Sequence, residues 1–190
     1  MEVVTKKDKK EFRLQGKSLF LTYPRCPATL PEFLESLKVC LETGSNQIKE
    51  FALSLEEHQD GTPHLHAYIV LAKKFSTCDQ TRLAITVKGV EYKGNYQTGK
   101  NKTRIMEYLL KDKTGKDDPR VLISTQLRDR ISDNGEVETF AATALRLARE
   151  GRIKEALQLM ESESPLDFLK NRDKYNRTFH ALRAEKVEAE

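Results

Sequence analysis

Cysteine is scarce in this chain, and long apolar runs are missing. The three cysteines, Cys26, Cys40 and Cys78, are odd in number and fit neither a CxxC pair nor a zinc knuckle. That excludes a disulfide framework and points to a reducing, intracellular setting. No apolar run approaches the roughly 20 residues that a helical membrane span needs, so no membrane partner is expected. The segment Met1 to Glu11 is rich in lysine and acid and has no apolar stretch, which excludes a secretory signal. Its Lys6, Lys7, Lys9 and Lys10 read as a solvated tail. Internal repeats are absent as well.

What is present is an ordinary globular composition, with 38% hydrophobic and 33% charged residues among 190. This length holds one domain and a small appendage. The net charge of +4 is uninformative, but its distribution is not. Residues 1–120 carry 21 Lys and Arg against 16 Asp and Glu, whereas residues 121–190 carry 12 against 13. Within 93–116, Lys93, Lys100, Lys102, Arg104, Lys111, Lys113 and Lys116 face only Glu107 and Asp112. Such a stretch suits a phosphate backbone.

Residues 12–23 end in a β-forming run and stop at Pro24, which predicts a strand. Phe33, Leu34, Leu37, Cys40 and Leu41 recur at helical spacing over 31–43, between Pro31 and Gly44. Residues 48–57 and 64–71 predict two strands. Gln59-Asp60-Gly61-Thr62-Pro63 between them makes a hairpin turn. Residues 83–92 alternate as a strand, with a bulge or bend at Gly89, and 102–112 read as a helix. Polar breakers follow at 113–119 and at Ser132-Asp133-Asn134-Gly135. Two helical patterns then cover 136–150 and 152–163, split by Gly151, and a new helix starts at Ser164-Pro165. The expected division is a mixed domain over 1–118 and a helical region over 119–190.

His64 and His66 alternate with Leu65 on a strand, so both imidazoles project from one face and form a natural pair of metal ligands. In a hairpin, an acid late in the preceding strand lies opposite them. Glu56 and Glu57 both qualify by position, and alternation lets only one share the histidine face. Two imidazoles, one carboxylate and open positions suit a divalent ion that also polarises a phosphoryl oxygen. His58, in the same turn, reads as a ligand, as a group behind the ligands or, by preference, as a surface residue. On a helix over 102–112, Tyr108, Lys111 and Asp112 share a face, with Arg104 one turn earlier. A tyrosine beside cations is a candidate covalent nucleophile; with an ordinary pKa of about 10, it needs help from a cation or a metal to attack at neutral pH. Gly94 to Asn101 nearly spells a GxxxxGK phosphate loop, but Asn101 stands where Ser or Thr should hold magnesium. A turn in a basic, DNA-facing hairpin is the better reading.

Three segments in order, Phe20-Leu21-Thr22-Tyr23-Pro24, His64-Leu65-His66 and Tyr108-Leu109-Leu110-Lys111-Asp112, resemble the motifs of HUH-type rolling-circle initiators, the geminivirus replication-associated proteins in particular. The resemblance covers roughly 12–115. It implies an α+β fold, an antiparallel five-stranded sheet flanked by helices, followed here by the small all-helical appendage. It places a metal ligand eight residues before the first histidine, at Glu56, beside His64 and His66, for Mg2+ or Mn2+. It puts the nucleophile at Tyr108, with Lys111 and Asp112 assisting around phosphate and metal. The implied activity is nicking of single-stranded origin DNA, at a stem-loop, through a 5′-phosphotyrosine, with strand joining as the reverse step. Phe20, Thr22, Tyr23, Lys93, Lys100, Lys102 and Arg104 are the expected DNA contacts, and origin duplex is a further partner. Residues 136–184 resemble a homo-oligomerisation region. The setting would be the nucleus for a eukaryotic virus and the cytoplasm for a bacterial plasmid. Two departures stand out: 83–104 replaces a recognisable segment with different spelling, and no tryptophan follows the tyrosine motif. A non-cutting RRM-like binding module, a transposase or relaxase, and a zinc hydrolase are the rivals.

Overall fold

The structure is a computed structural model that describes residues 11–58, 60–132 and 135–189. The lysines of the N-terminal tail, Gln59 of the hairpin turn, and Asp133 and Asn134 of the second breaker lie outside the described residues.

Strand β1 (Leu14–Pro24) alternates strictly where it matters. Leu19, Leu21 and Tyr23 are fully buried on one face, while Phe20 and Thr22 project from the other. Helix α1 (Leu30–Leu41) begins with a capping box between Thr29 and Glu32 and a proline in its first turn, which together satisfy orphan amides and preset the entry. It lays Phe33, Leu34, Leu37 and Leu41 on the first face. Strands β2 (Ile48–Glu57) and β3 (Pro63–Thr77) pair antiparallel as the expected hairpin. Leu53, Leu65, Ala67, Ile69 and Leu71 join the core under α1. Ala52, Tyr68 and the half-buried Val70 face the opposite way.

Residues 83–92 do not form one strand. They make a short hairpin of β4 (Ile85–Val87) and β5 (Val90–Tyr92), separate from the main sheet. Lys88 and Gly89 both have positive φ, 50° and 79°, so Gly89 is half of a tight two-residue turn rather than a bulge. Residues Asn95–Thr98 form β6, an edge strand on β1. That replaces both the phosphate-loop spelling and the turn expected there. Gly99 lets the Tyr68 ring approach, since a Cβ would meet it at 2.8 Å. Asn101 caps helix α2 (Lys102–Leu110) by accepting from the Arg104 amide at 3.0 Å.

The fifth strand, β7 (Val121–Ile123), pairs with β2. The sheet order is β6-β1-β3-β2-β7, with every pairing antiparallel. The expected five-stranded α+β architecture is therefore found, and its last strand lies beyond residue 118. Helices α2 and α3 (Thr125–Arg128) cover the second face through Met106, Leu109, Leu110 and Leu127.

Beyond the sheet, α4 (Phe140–Arg149), α5 (Ile153–Glu163) and α6 (Pro165–Ala189) share their own core of Ala144, Leu147, Ala148, Ala156, Met160, Phe168 and Phe179. Among the described residues, no helix is long and apolar enough to cross a membrane.

Candidate active site

The site lies on the second face of the sheet. The register sets Glu56 directly opposite His64, and His66 between Ser54 and Thr22. By alternation Glu56 shares the face of both histidines, and Glu57 points away. The His64 and His66 rings stack with centroids 4.4 Å apart. His66 Nε2 stands 3.3 Å from Glu56 Oε2, and its Nδ1 is 3.1 Å from Thr22 Oγ1. Phe20 stacks on the other side of His66, at 5.9 Å.

Helix α2 brings in the tyrosine. Met106, Leu109 and Leu110 are its buried stripe, which leaves Tyr108 near the opposite side of the helix, 42% exposed. The Tyr108 hydroxyl lies 3.3 Å from His66 Nε2 and 3.5 Å from Glu56 Oε2. Residues 42 and 52 positions apart in sequence thus meet at one point.

Electrostatics define the state of these groups. Burial pushes the His66 imidazole down to about 4, against the opposing pull of Glu56. Burial also lowers His64, with the neighbouring His58 adding to it. Both shifts favour the neutral imidazole, the form that ligates metal. Burial first and the Glu56 carboxylate second push the Tyr108 phenol above its ordinary value. The immediate neighbours of the phenol are a carboxylate and an imidazole, while Lys111 and Lys113 line the same depression.

Among the described residues, no group of three or more His, Cys, Asp or Glu side chains is arranged so that it could hold a metal ion as it stands. Two observations nonetheless fit a cation here. His64 Nε2 is buried without a hydrogen-bond partner, which is costly unless something binds it. The 3.3 Å between Glu56 Oε2 and His66 Nε2 matches two donors sharing one ion at roughly 2.1 Å.

Other expected residues divide. Lys111 and Asp112 line the same depression as Glu56 and Tyr108, but not from a common helical face. Helix α2 ends at Leu110, Lys111 is its C-cap, and Asp112 turns to φ 57°. Lys93, Lys100 and Arg104 are exposed, with Lys93 near Glu91 at 3.4 Å. Two assignments fail. Tyr23 is fully buried on the α1 face and donates to the Leu83 carbonyl at 2.6 Å, because alternation turns it away from Thr22. Lys102 is half-buried and pairs with Glu50 at 2.7 Å, where Arg130 also binds at 3.0 Å. A lysine held there is a structural cation rather than a free phosphate contact.

Sequence reasoning passed over Lys113 except as part of the basic stretch. Its side chain is 2% exposed and its Nζ is 3.7 Å from Glu56 Oε1. Only the turn at Asp112, invisible to helical periodicity, aims it inward. Asp118 was also missed. Its carboxylate accepts from the Thr114 amide and from the Arg120 backbone and guanidinium, closing the loop that carries Lys111 to Lys113.

Residues 12–119 match the family model described as the Geminivirus Rep catalytic domain. Replication-associated protein A of Tobacco yellow dwarf virus (strain Australia) is 38% identical over 108 residues, covering 54% of this chain and 33% of the viral protein. The Replication-associated protein of the same virus is also 38% identical over 108 residues, covering 54% of this chain and 29% of its own length. The match thus spans a third or less of these curated relatives. With more than half of its residues inside the family match, among them the strand face and helix that carry Glu56, His64, His66 and Tyr108, this chain belongs to the geminivirus Rep catalytic domain family.

Proposed function

We propose that this chain is the nicking and strand-joining part of a rolling-circle replication initiator acting on single-stranded origin DNA at a stem-loop. The observation that carries this is the convergence of the Tyr108 hydroxyl on His66 and Glu56, at 3.3 and 3.5 Å. An RRM-like binding module needs no such meeting of a phenol with a ligand set. The name of the viral relatives, replication-associated protein, supports the same reading.

Glu56, His64 and His66 would hold Mg2+ or Mn2+; when bound, such an ion polarises phosphoryl oxygens and offsets the carboxylate beside the phenol. Tyr108 Oη attacks phosphorus. The P–O3′ bond breaks, the 3′-oxygen leaves as a hydroxyl after gaining a proton, and the phenol's proton is lost to solvent. The 5′-phosphate stays on Tyr108 as an ester, so the energy of the broken bond is kept. Attack by a new 3′-OH reverses the step and joins strands without ATP. Lys111, exposed in the same depression, meets the phosphate charge. Lys100 and Arg104 track the flanking backbone. Phe20, packed on His66 and edge-on to Tyr108, holds those rings in place. Leu166 and Leu169, about three-quarters exposed on α6, offer an apolar surface for self-association through 136–184.

The test is a denaturing gel with a labelled single-stranded stem-loop oligonucleotide, Mn2+, and Tyr108→Phe alongside. A metal-dependent protein–DNA adduct absent from the variant is expected. Binding without cleavage across several origins and metals would instead favour the binding module.

A further inference from the structure

Lys113 is buried where burial gains little stability. It lies just past the end of α2, and its side chain is almost closed off from solvent. An ammonium taken out of water needs close partners. Among the described residues its Nζ has two, and neither is close: it donates to the Lys111 carbonyl at 3.3 Å and stands 3.7 Å from Glu56 Oε1. Departures of this kind from good packing gather at functional sites.

The two oxygens of Glu56 divide between their neighbours. Oε2 stands 3.3 Å from His66 Nε2 and accepts from the Tyr108 hydroxyl at 3.5 Å. Oε1 faces Lys113. The Glu56 side chain is partly exposed, so without a partner on Oε1 the carboxylate is free to turn toward solvent. Lys111 has a different place: it is exposed in the same depression, whereas Lys113 cannot reach a strand on the surface without leaving Glu56.

We propose that Lys113 is a positioning residue for the nicking reaction. By holding Oε1 it keeps the Glu56 carboxylate turned to His66 and Tyr108, and it offsets that charge beside the phenol. The lysine acts through Glu56 and does not touch DNA. This rests on the nicking reading above.

The test is a double-mutant cycle on the 190-residue chain, with Lys113→Met, Glu56→Gln and the pair. Adduct formation on the labelled stem-loop oligonucleotide is followed in single turnover with Mn2+. Oligonucleotide affinity, melting temperature and the ring-proton resonances of His66 are measured without metal. Methionine keeps the buried stem and removes the charge. Because Glu56 is partly exposed, it is not left as a buried unpaired charge, and the melting temperature holds. The expected result is adduct formation about tenfold slower in Lys113→Met, with oligonucleotide affinity within about twofold of the parent. The His66 resonances move in Lys113→Met. On the Glu56→Gln background, Lys113→Met leaves them in place and slows the reaction by less than about twofold.

A parent-like rate or unmoved His66 resonances in Lys113→Met would overturn the proposal. The same loss on both backgrounds would make the lysine independent of Glu56 and overturn it too. A matching loss of oligonucleotide affinity would make Lys113 a DNA contact, and a matching loss of melting temperature would make it structural; either sinks the positioning role. Absence of any adduct with the parent chain would instead overturn the nicking reading itself.

Discussion

Thr22 on β1 and His66 on β3 face each other across the sheet, with Thr22 Oγ1 at 3.1 Å from His66 Nδ1. In the tautomer whose Nδ1–H donates to that hydroxyl, Nε2 keeps its lone pair turned toward Glu56 and Tyr108. Partners of this kind fix the tautomer and orientation of a ligating histidine. Thr22→Val keeps the shape and removes the acceptor. It is expected to weaken Mn2+ binding and slow adduct formation by about tenfold, whereas Thr22→Ser retains both. Equal Mn2+ affinity in the valine and parent proteins would show that the Phe20 stack alone holds the ring.

Tyr23, one residue along, should behave in the opposite way. Its ring packs on Phe33 and Tyr96, and its hydroxyl donates to a buried carbonyl. Tyr23→Phe strands that carbonyl and is expected to cost about 1–3 kcal/mol, read as a lower urea midpoint with an unchanged slope. Oligonucleotide affinity should stay at the parent value. A weaker DNA complex with unaltered stability would return Tyr23 to the DNA surface.

The contrast between these neighbours marks what the sequence made legible. Spacing and a turn signal put His64 and His66 on one face of β3, with an acid of β2 opposite; between Glu56 and Glu57 the family resemblance, not the spacing, chose Glu56, and the register agrees with it. Tyr23 was misassigned because a motif was read as a unit, although its own alternation already separated Thr22 from Tyr23. The edge strands β6 and β7 are four and three residues long and owe their conformation to pairing rather than to propensity. The end of α2 was beyond reach for a related reason. Leu109, Leu110 and Lys111 continue a helical pattern, and only the loop closed by Asp118 stops it. Lys113 was illegible until that turn was known.

Lys102 and Lys100 test the distinction between a structural and a phosphate-facing cation. Glu50 is 7% exposed and binds both Lys102 and Arg130, tying β2 to the start of α2 and to the segment leading into the helical region. Removing one member of such a buried group leaves charge uncompensated. Glu50→Gln is expected to cost about 3 kcal/mol without changing the salt dependence of DNA binding. Lys100→Ala should do the reverse: unchanged stability, and a log–log salt slope smaller by roughly 0.7 for single-stranded DNA. A smaller salt slope in Glu50→Gln, or a stability loss in Lys100→Ala, would contradict this division.

Asp118 links acid stability to the loop that follows α2. The Arg120 side chain first, then the Arg120 and Thr114 amides, hold its carboxyl well below the usual carboxylate range. The Arg120 guanidinium also donates to the Asp112 carbonyl at 3.0 Å, so these bonds clamp the segment that carries Lys111 and Lys113. A carboxyl depressed on folding stabilises the native state fully above its unfolded pKa of about 3.9. That contribution is lost as pH falls through the lower, folded value. Asp118→Asn should therefore be less stable than the parent at pH 7, and the gap between their denaturation midpoints should narrow below about pH 4. With the clamp loosened, its adduct yield at pH 7 should drop severalfold while oligonucleotide binding persists. A gap that stays constant down to pH 2 would mean that the carboxylate's charge contributes nothing, and that any loss arises from the side-chain exchange itself.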